Sequence, residues 1–140
     1  MDRQVIDQKL ESLFRCLTRI KAKFPTDVSL LTSDFDLQDI VSLNLSRAVQ
    51  LTVDIGGHIV SVSDFHSPET MGETFDVLAQ NKVVSHDLAA RLKKSVGFRN
   101  IAVHNYDAIN WHIVHSIIKD HLGDFSEFAK AVITWQDQQP

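Results

Sequence analysis

The sequence predicts an all-α fold, an up-down bundle of about five helices of which two are long. Apolar residues recur at three- and four-residue spacing along most of the chain, and no segment shows the strict alternation of a strand. The breaks between the periodic segments are short and carry capping residues or proline. With 140 residues, 44% of them apolar, the chain can bury a core as one domain spanning 1–140.

The first helix is expected from Asp2 to about Phe24, because Pro25 cannot continue a helix. A loop, PTDVSLLTSDF, follows it. The apolar stripe that predicts the helix consists of Val5, Ile6, Leu10, Leu13, Phe14, Leu17 and Ile20.

The second helix is expected from near Asp36 to about Val62. Asp36 and Asp39 have the spacing of an N-cap and an N3 residue, where carboxylates meet unpaired N–H groups. Apolar residues lie on more than one side of this segment, which predicts a central position in the bundle. Gly56 and Gly57 are costly inside a helix and suggest that another helix approaches there.

Capping residues predict where the three remaining helices begin. Thr70 and Glu73 fit a capping box for a short third helix, Ser85 caps the fourth, and Asp107 caps the fifth. The residues of the fourth helix that are expected to face the core are Leu88, Leu92, Val96, Ile101 and Val103. The fifth carries Ile109, Ile113, Val114, Ile117, Ile118, Leu122, Phe125, Phe128, Ala129 and Ile133.

The formal net charge of −4 argues against a general nucleic-acid coat protein. The charge is segregated, however: residues 88–106 hold four basic residues and no carboxylate, which leaves −8 for the remainder once those four charges are subtracted. Cys16 is the single cysteine, so no internal disulfide forms and a reducing cytoplasm is expected. The sequence has no pattern of a signal peptide or membrane span.

The positive segment ends in GFRNIAVHNYD, which places Arg99, His104 and Tyr106 within eight positions. An arginine fork matches phosphate oxygens and a histidine transfers protons near neutral pH, so the pair could cleave a phosphodiester without metal. Tyr106 could stack on a base or hold the geometry through its hydroxyl. The alternative is that these are ordinary capping and ion-pairing residues at a helix end.

Helical geometry limits how the pair could act. Five residues along a regular helix turn a side chain by about 140°, so Arg99 and His104 could not point at one small group. Either the backbone leaves helical geometry between them, or a second copy of the chain completes the site.

The stretch VGFRNIAVHNYD resembles the signature of the HEPN superfamily, and the tyrosine two residues past the histidine is similar to the HepT-like toxins. AVQLTVDIGGHIVS resembles that family's second helix, and TFDVLAQNKVVSHDLAARLKKSVGFRN resembles its leucine-rich helix, break and basic helix. The resemblance implies a HEPN-like bundle. It also implies that Arg99 and His104 are the catalytic pair, with Asn100 at the polar position after the arginine.

Members of this family are similar to metal-independent endoribonucleases that act as homodimers and need no cofactor. The resemblance therefore implies the toxin of a type II/VII-like toxin–antitoxin system in the cytoplasm. Its partner would be a minimal nucleotidyltransferase antitoxin that transfers AMP onto Tyr106. The alternative is a non-catalytic, nucleotide-binding helical partner of a nucleotidyltransferase.

Further candidates each have two interpretations. Asp54 and His58, four apart on the second helix, either support the cleft or form a buried polar pair. The basic residues Arg91, Lys93 and Lys94 either contact RNA phosphates or lie on a solvated face.

The last helix carries two more candidates. Trp111 is expected to anchor an interface or the core rather than to stack on a base. His112 and His115 lack a third ligand by spacing, so no metal site is expected.

Overall fold

The structure is a computed structural model that describes residues 3–140, which leaves the predicted helix start at Asp2 outside the described residues. Over this range it contains no strand, so the all-α prediction is confirmed. The described chain forms helices α1 (Arg3–Lys23), α2 (Val28–Ser33), α3 (Phe35–Val62), α4 (Met71–Gln80), α5 (His86–His104), a 3₁₀ turn (Tyr106–Ala108), α6 (Trp111–His121) and α7 (Gly123–Asp137). None of these helices, between residues 3 and 140, is long and apolar enough to cross a membrane.

The central helix is α3, which packs against α1, α2, α4, α5 and α7. Its N-cap is Asp34, whose side chain accepts the Leu37 N–H at 3.1 Å. The prediction that Asp36 is the cap is therefore wrong by two residues, and Asp36 lies in the first turn instead. Asp39 is too far along the helix to serve an unpaired N–H group, which frees its carboxylate for a tertiary contact.

The two adjacent glycines of α3 have different surroundings. A Cβ atom on Gly56 would lie 2.8 Å from Thr74 Cγ2 and 3.0 Å from Leu78 Cδ1, both on α4. Such a Cβ on Gly57 would meet nothing within 4 Å. The expected close approach of a neighbouring helix is thus confirmed for Gly56 and wrong for Gly57.

Both predicted caps of the following helices are confirmed. The Thr70 hydroxyl accepts the Glu73 N–H at 3.1 Å, while the Glu73 carboxylate accepts the Glu69 N–H at 3.2 Å. At the start of α5, the Ser85 hydroxyl accepts the Leu88 N–H at 3.0 Å. Because these bonds occupy N–H groups that lack an intrahelical partner, they fix where α4 and α5 begin.

The segment predicted as a loop between the first two long helices contains α2. Asp27 caps this helix by accepting the Ser29 N–H at 2.9 Å, and Leu31 is fully buried. The Gln38 side-chain amide donates to the Leu31 carbonyl at 3.0 Å and ties the end of α2 to α3. A helix of six residues is too short for periodicity to predict, and tertiary contacts stabilise it instead.

The predicted fifth helix is two helices. α6 begins after Asn110, whose side chain accepts the N–H groups of His112 and Ile113, so Asp107 is not the cap. α6 ends at His121, and α7 begins at Gly123 after the single residue Leu122. Because α6 packs on α2 while α7 packs on α1, α3 and α5, one straight helix could not make both sets of contacts.

Several apolar residues that were expected to face inward are exposed, among them Ile101 at 44% and Val103 at 53%. They lie in the last turn of α5, beyond Val96, the last buried residue of that helix. Phe14 of the predicted apolar stripe of α1, and Ile113 and Ile133 of the predicted fifth helix, are exposed as well. A single copy of the chain therefore leaves an apolar surface at the end of α5.

We expect Gly56→Ala to destabilise the protein by about 1–3 kcal/mol, because the added methyl group overlaps Thr74 and Leu78. The matched control is Gly57→Ala, which we expect to stabilise the protein by up to about 1 kcal/mol, since alanine favours the helix and meets open space. Denaturant unfolding measures both changes. Equal effects of the two substitutions would contradict the packing of α4 on Gly56.

Candidate active site

The helix that carries Arg99 and His104 is continuous. α5 runs without a break from His86 to His104, and the Asn105 N–H still donates to the Ile101 carbonyl at 2.8 Å. The two side chains therefore keep the angular separation of about 140° that five helical residues impose. Of the two possibilities raised by the sequence, a break in the backbone between Arg99 and His104 is excluded.

The predicted catalytic pair lies at an accessible helix end. Arg99 is half-buried, and its Nη1 donates to Asn100 Oδ1 at 3.2 Å, whereas His104 is exposed. Within residues 3–140, neither Arg99 nor His104 forms an ion pair with a carboxylate. Since no internal anion neutralises Arg99, its guanidinium remains available to an external one.

Tyr106 begins the 3₁₀ turn that follows α5, and its hydroxyl meets α3. The hydroxyl donates to Asp39 Oδ1 at 2.6 Å, and Ser42 Oγ donates to the same phenol oxygen at 3.4 Å. The Trp111 ring packs edge-on against the Tyr106 ring, with centroids 5.8 Å apart. This contact suits the anchoring role expected of Trp111.

The environment of Tyr106 keeps its hydroxyl protonated. Partial burial raises the pKa of Tyr106, and the hydrogen bond to Asp39 raises it further. A phenol has an ordinary pKa near 10, so the raised value makes the neutral form dominant at neutral pH. The sequence did not indicate this contact, because Asp39 and Tyr106 are 67 positions apart.

The helix α3 does not bring Asp54 and His58 into a hydrogen bond. Asp54 Oδ1 accepts from Gln50 Nε2 at 2.8 Å, and its other oxygen lies 4.0 Å from Lys9 Nζ. His58 Nε2 is buried without a partner among the described residues. Their proposed support of the cleft stays a prediction, while the alternative of a mutual buried pair is not what the structure contains.

The three basic residues predicted to contact phosphates differ in their surroundings. Arg91 is bonded to Asp124 and, at 3.1 Å each, to Glu127 and Asp87. Lys93 Nζ lies 2.8 Å from Asp76 Oδ2. In the described part of the chain, Lys94 has no ion pair and is exposed. Much of the predicted positive segment is therefore neutralised internally.

A groove of about 520 Å³ lies between α5, α6 and the start of α7, and Lys94 and His112 line it. The last residue of α5 that lines the groove is Ser95, so the groove ends before Arg99.

His115 makes other contacts: its Nε2 is bonded to the Pro25 carbonyl at 2.9 Å, and its ring packs on Phe24. Residues 3–140 contain no group of three side chains arranged to hold a metal ion.

The chain is a helical bundle. It carries an arginine and a histidine at the end of α5 and a tyrosine just beyond, and these features point to a class of HEPN-like proteins. Residues 13–132 match the sequence model of the ribonuclease HepT-like family, and the chain belongs to this family. The family and the HEPN-like bundle expected from the sequence are thus confirmed.

Named relatives agree with this assignment. The mRNA nuclease HepT of Shewanella oneidensis is 38% identical over 128 residues, covering 91% of this chain and 96% of the relative. The tRNA nuclease HepT of Aphanizomenon flos-aquae is 27% identical over 128 residues, covering 91% and 87%. The solved structure of the tri-AMPylated Shewanella oneidensis HEPN toxin in complex with the MNT antitoxin has a TM-score of 0.88 at 37% identity, covering 96% of this chain and 99% of that one.

We expect Arg91→Ala to lower the free energy of unfolding by about 1–2 kcal/mol, because it leaves the Asp124 carboxylate, only 12% exposed, without its guanidinium partner. Because Arg91 is partly exposed to water, we expect its removal to cost less free energy of unfolding than the loss of a fully buried ion pair. Lys94→Ala, three residues later on the same helix, should change stability by less than about 0.5 kcal/mol. Thermal unfolding of both variants checks the difference, and equal stability would show that the Arg91 ion pairs contribute nothing.

Proposed function

We propose that the protein is a metal-independent endoribonuclease that acts as the toxin of a toxin–antitoxin pair in the cytoplasm. The observation that carries the proposal is the accessible Arg99–His104 pair on an unbroken helix, in a chain of the ribonuclease HepT-like family. The relatives named as mRNA and tRNA nucleases support RNA as the substrate. The lone, buried Cys16 is compatible with a reducing compartment.

The chemistry follows from the two side chains. In RNA cleavage the 2′-hydroxyl attacks the adjacent phosphorus, so a proton must be removed and negative charge develops on the phosphoryl oxygens. Arg99 stabilises that charge with its planar donors, and His104 transfers the proton. Lys94, which no internal carboxylate neutralises in the described chain, is the basic residue on α5 best suited to a backbone phosphate contact.

A homodimer reconciles this chemistry with the geometry of α5. Because Arg99 and His104 diverge within one chain, we infer that Arg99 of one protomer and His104 of its partner converge on one phosphate. The exposed Ile101 and Val103 lie between them on α5 and would be covered in such an interface. A two-fold arrangement provides two such sites per dimer.

Tyr106 is proposed as the point of control. A nucleotidyltransferase antitoxin would transfer AMP from ATP onto its hydroxyl, and the related HEPN toxin, which is tri-AMPylated in its complex with the MNT antitoxin, supports this role. The added phosphate and base would lie two residues from His104 and compete with RNA for Arg99.

We expect the purified protein to cleave RNA in EDTA, and His104→Ala or Arg99→Ala to lower the rate by about 10²-fold or more, because each removes one function of the pair. If the site is shared between protomers, a mixed dimer of the two inactive variants contains one intact Arg99–His104 site. Mixing the variants with subunit exchange should then restore cleavage, measured on labelled RNA.

Each homodimeric variant alone is the control for that assay. Equal cleavage by wild type and His104→Ala would point to a contaminating nuclease and contradict the assignment. Binding of nucleotide without any cleavage would instead support the alternative, a non-catalytic partner of a nucleotidyltransferase. An active wild type without restoration in the mixture would contradict the shared site alone.

We expect Tyr106→Phe to escape silencing by the cognate nucleotidyltransferase and ATP, because phenylalanine offers no oxygen to accept AMP. Mass spectrometry of the wild type should locate the added AMP on Tyr106, and the RNA cleavage assay should lose activity in step with it. The variant without partner is the control for any direct effect on cleavage. Silencing of Tyr106→Phe with AMP attached elsewhere would show that Tyr106 is not the acceptor.

A further inference from the structure

The carboxylate of Asp39 meets the Tyr106 hydroxyl although the two residues belong to different elements. Asp39 lies on α3, just past its first turn, and Tyr106 begins the 3₁₀ turn after α5. The separation of 2.6 Å between Asp39 Oδ1 and the phenol oxygen is that of a strong hydrogen bond to a charged acceptor. This bond uses the one proton that the hydroxyl can donate.

We propose that Asp39 orients the Tyr106 hydroxyl and accepts its proton when that hydroxyl is adenylylated. The proposal rests on the proposed function of Tyr106 as the acceptor of AMP. It adds a residue of the toxin itself to a reaction that the nucleotidyltransferase would otherwise catalyse alone.

The surroundings of the hydroxyl leave it accessible for attack while they hold its proton. Tyr106 is 36% exposed, so the side chain lies at the surface, where a nucleotide can approach it. The hydrogen bond from the hydroxyl to Asp39 and the edge contact of the ring with Trp111 restrain the side chain. A fixed nucleophile lowers the entropic part of the barrier to transfer.

A proton acceptor is needed because the hydroxyl is neutral before the reaction. Burial and the bond to Asp39 both raise the pKa of Tyr106, so phenolate is scarce at neutral pH. The proton must then leave as the new bond forms, and a base within hydrogen-bond distance of that proton is what general-base catalysis requires. Asp39 meets this requirement before any partner binds.

The transfer balances with ATP as the co-reactant. The phenol oxygen bonds to the α-phosphorus, and the bond from that phosphorus to the oxygen bridging to the β-phosphate breaks. Pyrophosphate leaves with the electron pair of the broken bond. The phenol proton passes to Asp39, which later releases it to water, and no oxidant or reductant is involved.

No other titratable group shares this position in the described chain. Ser42 from α3 contacts the phenol oxygen at 3.4 Å, and Trp111 of α6 contacts the ring, but neither ionises. Asp107 is the nearest carboxylate along the sequence, but Asp39 is the carboxylate that accepts the hydrogen bond from the Tyr106 hydroxyl in the described chain. A change in the pKa of Tyr106 or in the rate of its proton transfer can therefore be assigned to Asp39.

The contact with Asp39 also favours movement of Tyr106 away from α3 once it is modified. Once AMP is attached, the tyrosine oxygen has no proton to donate, and the new phosphodiester is negatively charged. Repulsion between this phosphodiester and the Asp39 carboxylate would favour movement of the modified side chain away from α3.

The test compares Asp39→Asn with the matched Asp36→Asn, which removes an exposed carboxylate three residues earlier on α3. The full-length variants are incubated with the cognate nucleotidyltransferase and ATP, and single-turnover transfer to Tyr106 is followed by mass spectrometry. We expect Asp39→Asn to slow transfer at neutral pH by at least about tenfold, and Asp36→Asn to leave it unchanged. The deficit should shrink toward pH of about 10, where phenolate forms without a base.

A second measurement needs no partner. Tyr106 is the only tyrosine of the chain, so its ionisation can be followed alone by phenolate absorbance. We expect Asp39→Asn to lower the pKa of Tyr106, because it removes the negative charge beside the hydroxyl, and Asp36→Asn to leave the pKa unchanged. Thermal unfolding confirms that both variants are folded.

The outcomes separate the two proposals. Transfer to Asp39→Asn at the wild-type rate, or with a deficit that does not change with pH, would overturn the role of Asp39 while Tyr106 remains the acceptor. An unchanged tyrosine pKa in Asp39→Asn would overturn the contact itself. Wild type that takes up no AMP on Tyr106 would overturn the acceptor assignment and the proton transfer together.

Discussion

An unbroken α-helix holds Arg99 and His104 on diverging faces, and the proposed site depends on this constraint. The backbone hydrogen bonds of α5 continue to its end, so the two side chains leave the helix in directions about 140° apart. A single protomer thus carries both proposed functional groups on different faces of α5. In the proposed homodimer, a second protomer would supply the other group without distorting the helix and would cover Ile101 and Val103, which are exposed in one chain.

The end of α5 also explains why the proposed control point lies where it does. The helix ends at His104 with Asn105 as its C-cap, and the 3₁₀ turn that follows places Tyr106 against α3 instead of along the α5 axis. Tyr106 is thereby close in sequence to His104 yet bonded to Asp39 of the central helix. A modification at this position changes the charge beside the proposed catalytic residues without altering the core.

Charge in this protein is arranged more locally than its composition suggests. Two of the four basic residues of α5 form internal ion pairs, since Arg91 joins α5 to α7 and Lys93 joins it to α4. Arg99 remains free of carboxylates in the described chain and lies where the helix ends. An acidic protein can therefore present a small positive site, because internal ion pairs remove charges that would otherwise attract RNA to the whole helix.

The sequence by itself determined the helical class, most helix bounds, the caps at Thr70 and Ser85, and the Arg99–His104–Tyr106 segment. Each depends on residues within a few positions of one another, and local periodicity and hydrogen bonding decide them. It did not predict the six-residue α2, the division of the last helix into α6 and α7, or the exposure of Ile101, because these depend on which helices pack together.

The sequence also did not predict the hydrogen bond between Asp39 and Tyr106. At the level of local pattern, Asp39 fitted a capping role, and only the packing of the 3₁₀ turn on α3 brought it to the phenol. The packing of α5 on α7 and on α4 likewise decided that Arg91 and Lys93 neutralise internal carboxylates. Contacts between residues distant in sequence carry no local signal, since the fold and not the intervening chain sets their separation.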